Sequence, residues 1–447
     1  MRGVRSTLAL VVIFLGLAGY VYVLRSRKPA SPAANEPKVF SVRADKIDGL
    51  TVRATSGESS TLKQVDGKWR LVQPQDAAAD ESEVDDITTS LSSLTVARVI
   101  ARNPSDLTPF GLATPRMEIG FQAAGDPTPH RLLIGDKNAT GIDLYAKRQG
   151  AREVFLIPAY LQTTFNLTPF QLRDKTLLTF DRDKVNTIDV TTPEHAVELT
   201  KTGTTSWMMQ TPLHAPGDYL AAENLLGRLQ TAKMKSIVTE TATPADLKKD
   251  GLDKPAVTVR LTAGSATTTL ELGAKSPDGT VYARDLSRPR IVTVEASLLD
   301  DLRKDPADFR QKDLFAFRSY NADWISIRRN GRTVTFQQVK GRGKNAAPQW
   351  HRLSPAGTVK DADMEDFLSK LSGLRASSWI ASTAHTGLDK PYATVSVKFE
   401  HDRKQETVTF GRQGSNVYAE RADQPGAATL GVSAFDDAMK ALDVVAK

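Results

Sequence analysis

The side chains best suited to chemistry in this sequence are scattered rather than clustered. It contains six histidines, of which no two lie within four residues of each other: His130, His195, His214, His351, His385 and His401. The short motifs His-x-x-x-His, His-Glu-x-x-His and Gly-x-Ser-x-Gly do not occur. Because cysteine is absent, thiol catalysis, thiolate zinc sites, a lipidated N-terminal cysteine and disulfides are excluded. A metal site assembled from distant segments remains the alternative.

A glycine-rich stretch at residues 341–345, Gly-Arg-Gly-Lys-Asn, resembles the end of a phosphate loop only in part. It lacks the glycine four residues earlier and the Ser or Thr that should follow the lysine. Carboxylates are plentiful, but no pair stands apart from helix caps and surface faces. We therefore predict no catalytic residue, no cofactor and no metal ligand, and expect that the protein is not an enzyme.

One stretch has unusual electrostatics. Between Trp324 and Lys360 there is no acidic residue and there are eight basic ones. Six of them form the predicted basic face: Arg328, Arg329, Arg332, Lys340, Arg342 and Lys344. With Phe336 and Trp350 interleaved, this face predicts a contact for an anionic glycan, lipid headgroups or an acidic protein partner. The alternative is the solvated face of a hairpin with a glycine-rich tip.

A net charge of +7 would suggest nucleic-acid binding if the excess positive charge lay on the body of the protein. Five basic residues and no acid lie within residues 1–28, whereas the rest of the chain has 54 basic and 52 acidic residues, a net of +2. Most of the excess charge therefore belongs to the N-terminus. No nucleic-acid partner is expected.

Residues 7–24 are predicted to cross a membrane. They contain no charge over 18 positions and would span about 27 Å as a helix, close to the thickness of a bilayer core. A cleaved signal peptide is the alternative, but three basic residues separate this segment from the small residues that follow. We expect a cytoplasmic tail at 1–6, a single-pass anchor in the bacterial inner membrane, a Pro/Ala-rich linker at 25–38 and a periplasmic body.

A pentapeptide sets the period of that body. Gly-Leu-Asp-Lys-Pro occurs at residues 251–255 and 387–391, and Gly-Leu-Ala-Thr-Pro at 111–115, at spacings of 140 and 136 residues. We interpret the glycine as a left-handed helix stop, with Leu107 or Leu247 before it contacting the leucine after it. The proline then opens a strand. In the third copy Thr383 replaces the preceding leucine, so a weaker cap is expected.

Aligning these copies predicts three tandem α+β units at residues 39–178, 179–316 and 317–447. Each unit shows opening strands, a tryptophan strand, one amphipathic helix, the pentapeptide turn, a hairpin ending in glycine, a tyrosine strand and a short helix. Each sheet is expected to be mainly antiparallel. We interpret Trp69, Trp207 and Trp350 as core residues, with sugar stacking as the alternative. Asp80 and Glu83 match a capping box at the first helix.

The order of parts resembles an uncharacterised family, the domain of unknown function 4340. The matching features are the anchor, the Lys-Trp-Arg-Leu strand at 68–71, the Gly-Leu-x-x-Pro turn, Tyr145 and the Leu-Arg-Asp-Lys-x-Leu-Leu ending at 172–178. The third unit lacks that ending. The resemblance implies bacterial envelope proteins considered together with ABC-type transport and gliding-motility auxiliary components, and it brings no catalytic residues.

Two functions follow as hypotheses. The first is a non-enzymatic envelope protein that acts as a scaffold or accessory subunit, associated with an ABC-type transport system and with ABC transporter subunits as partners. The second is an extracytoplasmic binding or hydrolytic module for envelope glycan or another anionic polymer, acting through the basic face of the third unit.

Overall fold

The computed structural model describes residues 37–339 and 348–447. The chain separates into two compact units, the first ending at Lys175 and the second running from Thr176 to Lys447. The first unit contains the first predicted repeat except its last three residues, and the second unit contains the other two repeats. The boundary falls three residues before the predicted one at 178.

Among the described residues, each repeat contributes nine strands. The strands of the first repeat are β1 Ile47–Arg53, β2 Ser59–Val65, β3 Lys68–Gln73, β4 Ala77–Ala78, β5 Arg98–Ala101, β6 Met117–Ala123, β7 Asp126–Lys137, β8 Asp143–Arg148 and β9 Val154–Pro158. Those of the second are β10 Thr187–Thr191, β11 Ala196–Gly203, β12 Ser206–Thr211, β13 Ala215–Gly217, β14 Ser236–Thr239, β15 Val257–Ala263, β16 Ala266–Lys275, β17 Val281–Asp285 and β18 Ile291–Val294. Those of the third are β19 Ala322–Arg329, β20 Arg332–Val339, β21 Gln349–Ser354, β22 Ala356–Thr358, β23 Ala376–Ile380, β24 Ala393–Phe399, β25 Lys404–Gln413, β26 Asn416–Arg421 and β27 Ala427–Leu430.

The described α-helices are fewer and lie between or after the strands. They are α1 Glu81–Ser93, α2 Leu161–Phe165, α3 Pro169–Leu172, α4 Tyr219–Thr231, α5 Pro244–Lys249, α6 Ala296–Leu302, α7 Asp361–Ser372 and α8 Val432–Val445. The predicted α+β class with mainly antiparallel sheets is thus observed in all three repeats.

The three sheets share one topology. In the first, the strand order is β4-β3-β2-β1-β6-β7-β8-β9-β5, and the other two sheets repeat it. All neighbouring strands are antiparallel. Each repeat therefore begins at the centre of its sheet, runs outward to one edge and crosses by the long helix to the far edge. It then returns to the centre at β6 and runs outward again to β9, which lies beside the far-edge strand β5.

Strand alternation gives each sheet a core face and an outer face. In β6, Ile119 and Phe121 are buried, whereas Gln122 is exposed. The long helix covers the core face with a stripe of apolar side chains; α1 buries Val84 and Ile87 completely. The core interpretation of the three repeated tryptophans is confirmed, since Trp69, Trp207 and Trp350 are 5%, 2% and 7% exposed.

The pentapeptide turn has the predicted conformation. Gly111, Gly251 and Gly387 have φ of 65°, 71° and 74°. In the second copy the amide of Leu252 donates to the carbonyl of Leu247 at 2.7 Å, which is the bond that closes a Schellman cap. The third copy has no helix before its glycine.

A second glycine explains why this turn and the following hairpin occur together. Gly135, Gly273 and Gly411 lie in β7, β16 and β25 directly against the turn. A Cβ at Gly135 would overlap the carbonyl oxygen of Phe110, and the other two glycines meet equivalent carbonyls. Their φ angles are not positive. Glycine is therefore required at these positions for space rather than for conformational freedom.

The helix start differs from the sequence prediction. Asp80 occupies the N-cap position of α1, but its side chain makes no cap hydrogen bond. Its carboxylate instead pairs with the Lys175 ammonium at 3.0 Å, while Glu81 accepts from the amide of Trp69 at 2.9 Å. The expected capping box with Glu83 is therefore wrong. The side chain of Asp80 holds the closing segment of the repeat.

The predicted anchor at 7–24 lies outside the described residues, as do the tail at 1–6 and most of the linker at 25–38. Between residues 37 and 447, leaving out 340–347, no helix combines the length and the apolar character that a bilayer crossing requires. The carbonyl of Pro37, the first described residue, accepts from the amide of Val96 at 2.9 Å.

Candidate functional site

The three repeats retain their core faces and differ on their outer faces. The residue five positions after the turn proline lies at the centre of each sheet and points outward: Gly120, Arg260 or Ser396. Opposite these residues on the neighbouring central strand stand Thr51, Asp189 and Ser326, respectively. The flanking inward positions stay apolar and buried in every repeat. The outer faces are therefore where the repeats are chemically distinct.

On the outer face of the third sheet, an aromatic ring stands in a polar row. Trp324 lies between Gln337 on β20 and Lys398 on β24. The Lys398 ammonium is 5.4 Å from the centre of the Trp324 ring. In the next row the hydroxyls of Ser396 and Thr407 are hydrogen bonded at 2.8 Å. An aromatic face flanked by amide, ammonium and hydroxyl groups is suited to a polar ring such as a sugar.

The predicted basic face does not form one surface in its described part. Arg328 is exposed and shares the outer face with Trp324, whereas Arg329 points to the other side, directly opposite Arg332. The Arg329 guanidinium is already paired with Asp443 of α8 at 2.9 Å. Lys340, Arg342 and Lys344 lie outside the described residues.

The aromatic residues expected to interleave with those cations are not at the surface. Phe336 is fully buried and Trp350 is 7% exposed, and both belong to the core of the third repeat. Trp324 is the aromatic residue that this strand pair offers on its outer face. The sequence does indicate this position. Ile325 and Ile327 occupy one side of an alternating strand, and Trp324 therefore belongs to the other side.

The outer face of the second sheet carries charges of both signs. Asp189 lies directly opposite Arg260 and Glu198 on its two neighbouring strands. Partial burial raises the pKa of Asp189, and the charge of Arg260 offsets part of that rise. Burial likewise raises the pKa of Glu271, against an opposing effect of Arg284. These carboxylates are thus held on the sheet at some cost in desolvation.

The Asp189→Asn variant is expected to be more stable than the native chain at pH 7. Because the pKa of Asp189 is raised on folding, the folded state binds more protons than the unfolded state between the ordinary value of 3.8 and the raised one. The free energy of unfolding therefore falls as pH rises through that window. Urea unfolding at pH 7 and below pH 3.8 should show a gain that disappears in acid. The exposed Asp253→Asn serves as the control, and an equal gain at both pH values would contradict the prediction.

One arginine in each repeat binds the segment that enters that repeat. In each repeat an arginine donates to a carbonyl of the segment that enters the repeat: Arg148 to Val39 at 3.3 Å, Arg288 to Thr176 at 3.3 Å, and Arg421 to Leu314. Arg148 and Arg421 each follow the strand tyrosine by three residues. In the second repeat that position is Asp285, which instead pairs with Arg288 at 3.4 Å.

A buried arginine also joins the second repeat to the third. The guanidinium carbon of Arg310 lies 3.4 Å from the ring centre of Trp379, and Arg310 donates to Gln424 at 3.1 Å. Burial, assisted by the positive charge of Arg421, lowers the pKa of Arg310 to about 10. The neighbouring backbone pairs as well, since the amide of Ala376 donates to the carbonyl of Lys312 at 2.7 Å. Sequence reasoning did not identify this joint.

A groove of about 550 Å³ opens beside α4 within the second unit. Leu220, which is 66% exposed, lies in it together with charges from both repeats of that unit. The charged lining residues are Asp218, Arg228, Asp301, Lys304, Asp308, Lys312 and Arg375. An apolar residue surrounded by mixed charges is a typical feature of a protein-binding surface.

Within residues 37–339 and 348–447, no three His, Asp or Glu side chains lie close enough together to hold a metal ion. His130 is hydrogen bonded to Asp126 at 2.8 Å and His214 to Gln210 at 3.0 Å. His195 contacts the carbonyl of Lys304 at 3.1 Å. These three histidines take part in local structure.

Comparison with known proteins identifies one family. The profile described as "Domain of unknown function (DUF4340)" matches residues 69–207 and 207–391. No curated protein matches the chain. Among solved structures, a DNA polymerase sliding clamp from Pseudomonas aeruginosa aligns with a TM-score of 0.14 and 9% identity, over 87% of this chain and 92% of that chain. A TM-score this low carries no argument about fold or function.

Proposed function

Because the chain belongs to the family of the domain of unknown function DUF4340, whose description states no activity, we propose a function from its surfaces. The protein is a non-enzymatic, membrane-anchored envelope protein that acts as a scaffold or accessory subunit, associated with an ABC-type transport system. The groove beside α4 is the observation that carries this proposal.

The groove favours a protein partner over a small molecule. Leu220 lines it with most of its side chain exposed, and the charged residues that line it are of both signs. Because the joint at Arg310 fixes the second repeat to the third, both walls of the groove are held in place. A surface preorganised in this way loses little entropy on binding.

The proposed location of the protein in the membrane is based on its N-terminal residues. Residues 7–24 are uncharged and long enough to cross a bilayer. The linker at 25–38 would then separate the first repeat from the membrane, with the body of the chain in the periplasm. A membrane-proximal scaffold of this kind can contact the extracytoplasmic side of a transporter.

Crosslinking the protein in its native membrane and purifying it is expected to recover ABC transporter subunits. The Leu220→Glu variant should lower that recovery about tenfold, because it places a charge at the centre of the apolar contact. Leu286→Glu is the matched control, since Leu286 is also exposed, at 45%, but does not line the groove. Recovery of no transporter subunit would overturn the proposal, as would equal recovery by both variants.

The second candidate is binding or hydrolysis of an envelope glycan or another anionic polymer by the third repeat. Trp324 beside Gln337 and Lys398 favours it. Incubating the same preparation with insoluble cell-wall glycan distinguishes the two. Sedimentation with glycan that is lost in Trp324→Ala, and reduced by reversing the charges of Arg342 and Lys344, would favour this candidate over the first.

A further inference from the structure

A hollow lies in the outer face of the first sheet where two side chains are missing. Gly49 on β1 and Gly120 on β6 stand at its floor. Neither glycine has a positive φ, so neither is required by backbone conformation. At the corresponding positions the second repeat has Thr187 and Arg260, and the third has Trp324 and Ser396. The other two repeats carry a side chain at both places. In the first repeat the space at Gly49 is open, with Gln122 as its nearest side chain, whereas the Thr51 hydroxyl lies over Gly120 and would be overlapped by a Cβ there.

The hollow has a volume of about 180 Å³. That is roughly six times the volume of a water molecule in the liquid, which suits a group the size of one sugar ring. Its walls carry the Thr51 hydroxyl, the amides of Gln122 and Gln149, the Lys63 ammonium and the Arg131 guanidinium. These groups supply several hydrogen-bond donors from five different strands or turns.

The charges around the hollow favour an anion. No acidic residue is among those that line it in the described chain. Lys63 is exposed and has no ion-pair partner within the described residues. Arg131 pairs with Glu118 at 3.2 Å, but Glu118 also pairs with Arg53, so one carboxylate is shared between two guanidinium groups. The local balance is therefore positive.

An adjoining depression carries two further acidic residues. It shares Gly49, Lys63 and Gln122 with the hollow and adds Asp48 and Asp126. Asp126 already accepts from His130 at 2.8 Å and from the amide of Thr128 at 2.9 Å. Lys63 lines both surfaces, whereas Arg131 lines only the hollow.

We propose that this hollow is a binding site for one anionic sugar ring, whose acidic group lies between Lys63 and Arg131 and whose hydroxyls contact Thr51, Gln122 and Gln149. The site is separate from the groove beside α4 and from Trp324, so it does not depend on the function proposed above. Ammonium and guanidinium groups recognise carboxylate and phosphate alike, and either substituent on the ring fits this chemistry.

The test uses the full-length chain in detergent and three probes: D-glucuronate, D-glucose 6-phosphate and neutral D-glucose. Saturation-transfer NMR and calorimetric titration should show binding of at least one anionic probe and none of glucose. Binding of glucuronate alone would show that the site recognises a carboxylate on the ring, and binding of the phosphate ester alone would show that it recognises a phosphate. Failure of both anionic probes, or equal binding of glucose, would overturn the site while leaving the transporter proposal intact.

Two variants tie the binding to the hollow. Gly49→Thr introduces the residue that the second repeat has at this position, and its Cβ would meet the Cβ of Gln122 at an ordinary 3.4 Å. It should lower the affinity at least tenfold without changing the melting temperature. Lys63→Gln should lower the affinity about fivefold, whereas Lys68→Gln, an exposed lysine outside the hollow, should leave it unchanged. Unaltered binding in Lys63→Gln would overturn the proposal even if Gly49→Thr fails to fold.

Discussion

Replacing Glu406 by alanine is expected to lower the free energy of unfolding of the third repeat by about 3 kcal/mol. The Glu406 carboxylate is buried and accepts from the amides of Ala316 and Phe317, at 3.0 Å in each case. It also pairs with Arg421 at 3.3 Å. The variant leaves a buried amide without an acceptor and removes one of the two carboxylates that face a buried guanidinium. Asp423, at 2.9 Å from Arg421, limits the loss.

Urea unfolding followed by tryptophan fluorescence measures this loss, and hydrogen exchange at the Phe317 amide localises it. Glu400→Ala is the matched control, because Glu400 lies just before the same strand and pairs with Lys404 at the surface. An exposed pair of this kind contributes less than about 1 kcal/mol. If the two variants lose equal stability, Glu406 does not hold the entering segment.

The Gly135→Ala variant is expected to destabilise the first repeat by about 3 kcal/mol or more. The new Cβ would overlap the carbonyl oxygen of Phe110 and lie 3.0 Å from the carbonyl carbon of Gly111. Both atoms belong to the backbone of the turn, which cannot rotate away as a side chain does. Either the turn or β7 must move, which would disturb the hydrogen bond from the Arg116 amide to the Ile134 carbonyl at 2.9 Å.

Thermal and urea unfolding of the variant provide the measurement. Gly49→Ala is the control, because the φ angle of Gly49 is not positive. A Cβ at this position would lie 3.4 Å from the Cβ of Gln122, which is an ordinary contact distance. That change should alter stability by less than about 1 kcal/mol, or raise it slightly by restricting the unfolded chain. A Gly135→Ala variant as stable as Gly49→Ala would show that the turn and the hairpin are not closely packed.

Much of the fold could be predicted from the sequence because its signals are local. A glycine followed by Leu-x-x-Pro fixes a helix stop and a strand start within five residues, and the observed φ of Gly251 agrees. The spacing of Val84, Ile87 and Leu91 predicts the buried face of α1 without any knowledge of what covers it. Three aligned copies of each signal then separate the repeats.

The parts that could not be predicted depend on contacts between distant residues. The pairing of β1 with β6 brings Leu50 against Phe121, and no local pattern states that the first strand is central. The contact between Arg310 and Trp379 could not be predicted, because the two residues lie 69 positions apart. The basic run after Trp324 appeared to be a single face, since charge counting ignores the alternation that sends Arg328 and Arg329 to opposite sides.

The position of the opening strand has a consequence for how the chain is made. Leu50, Ile188 and Ile325 pair with Phe121, Leu261 and Val397, partners about 70 residues later. At 5–20 residues per second, each opening strand waits about 4 to 14 s on the ribosome as an unpaired edge. Its own partner emerges before the opening strand of the next repeat, so the order of synthesis favours correct pairing. Refolding the whole chain from denaturant removes that order, because three equivalent edges then compete for three equivalent partners.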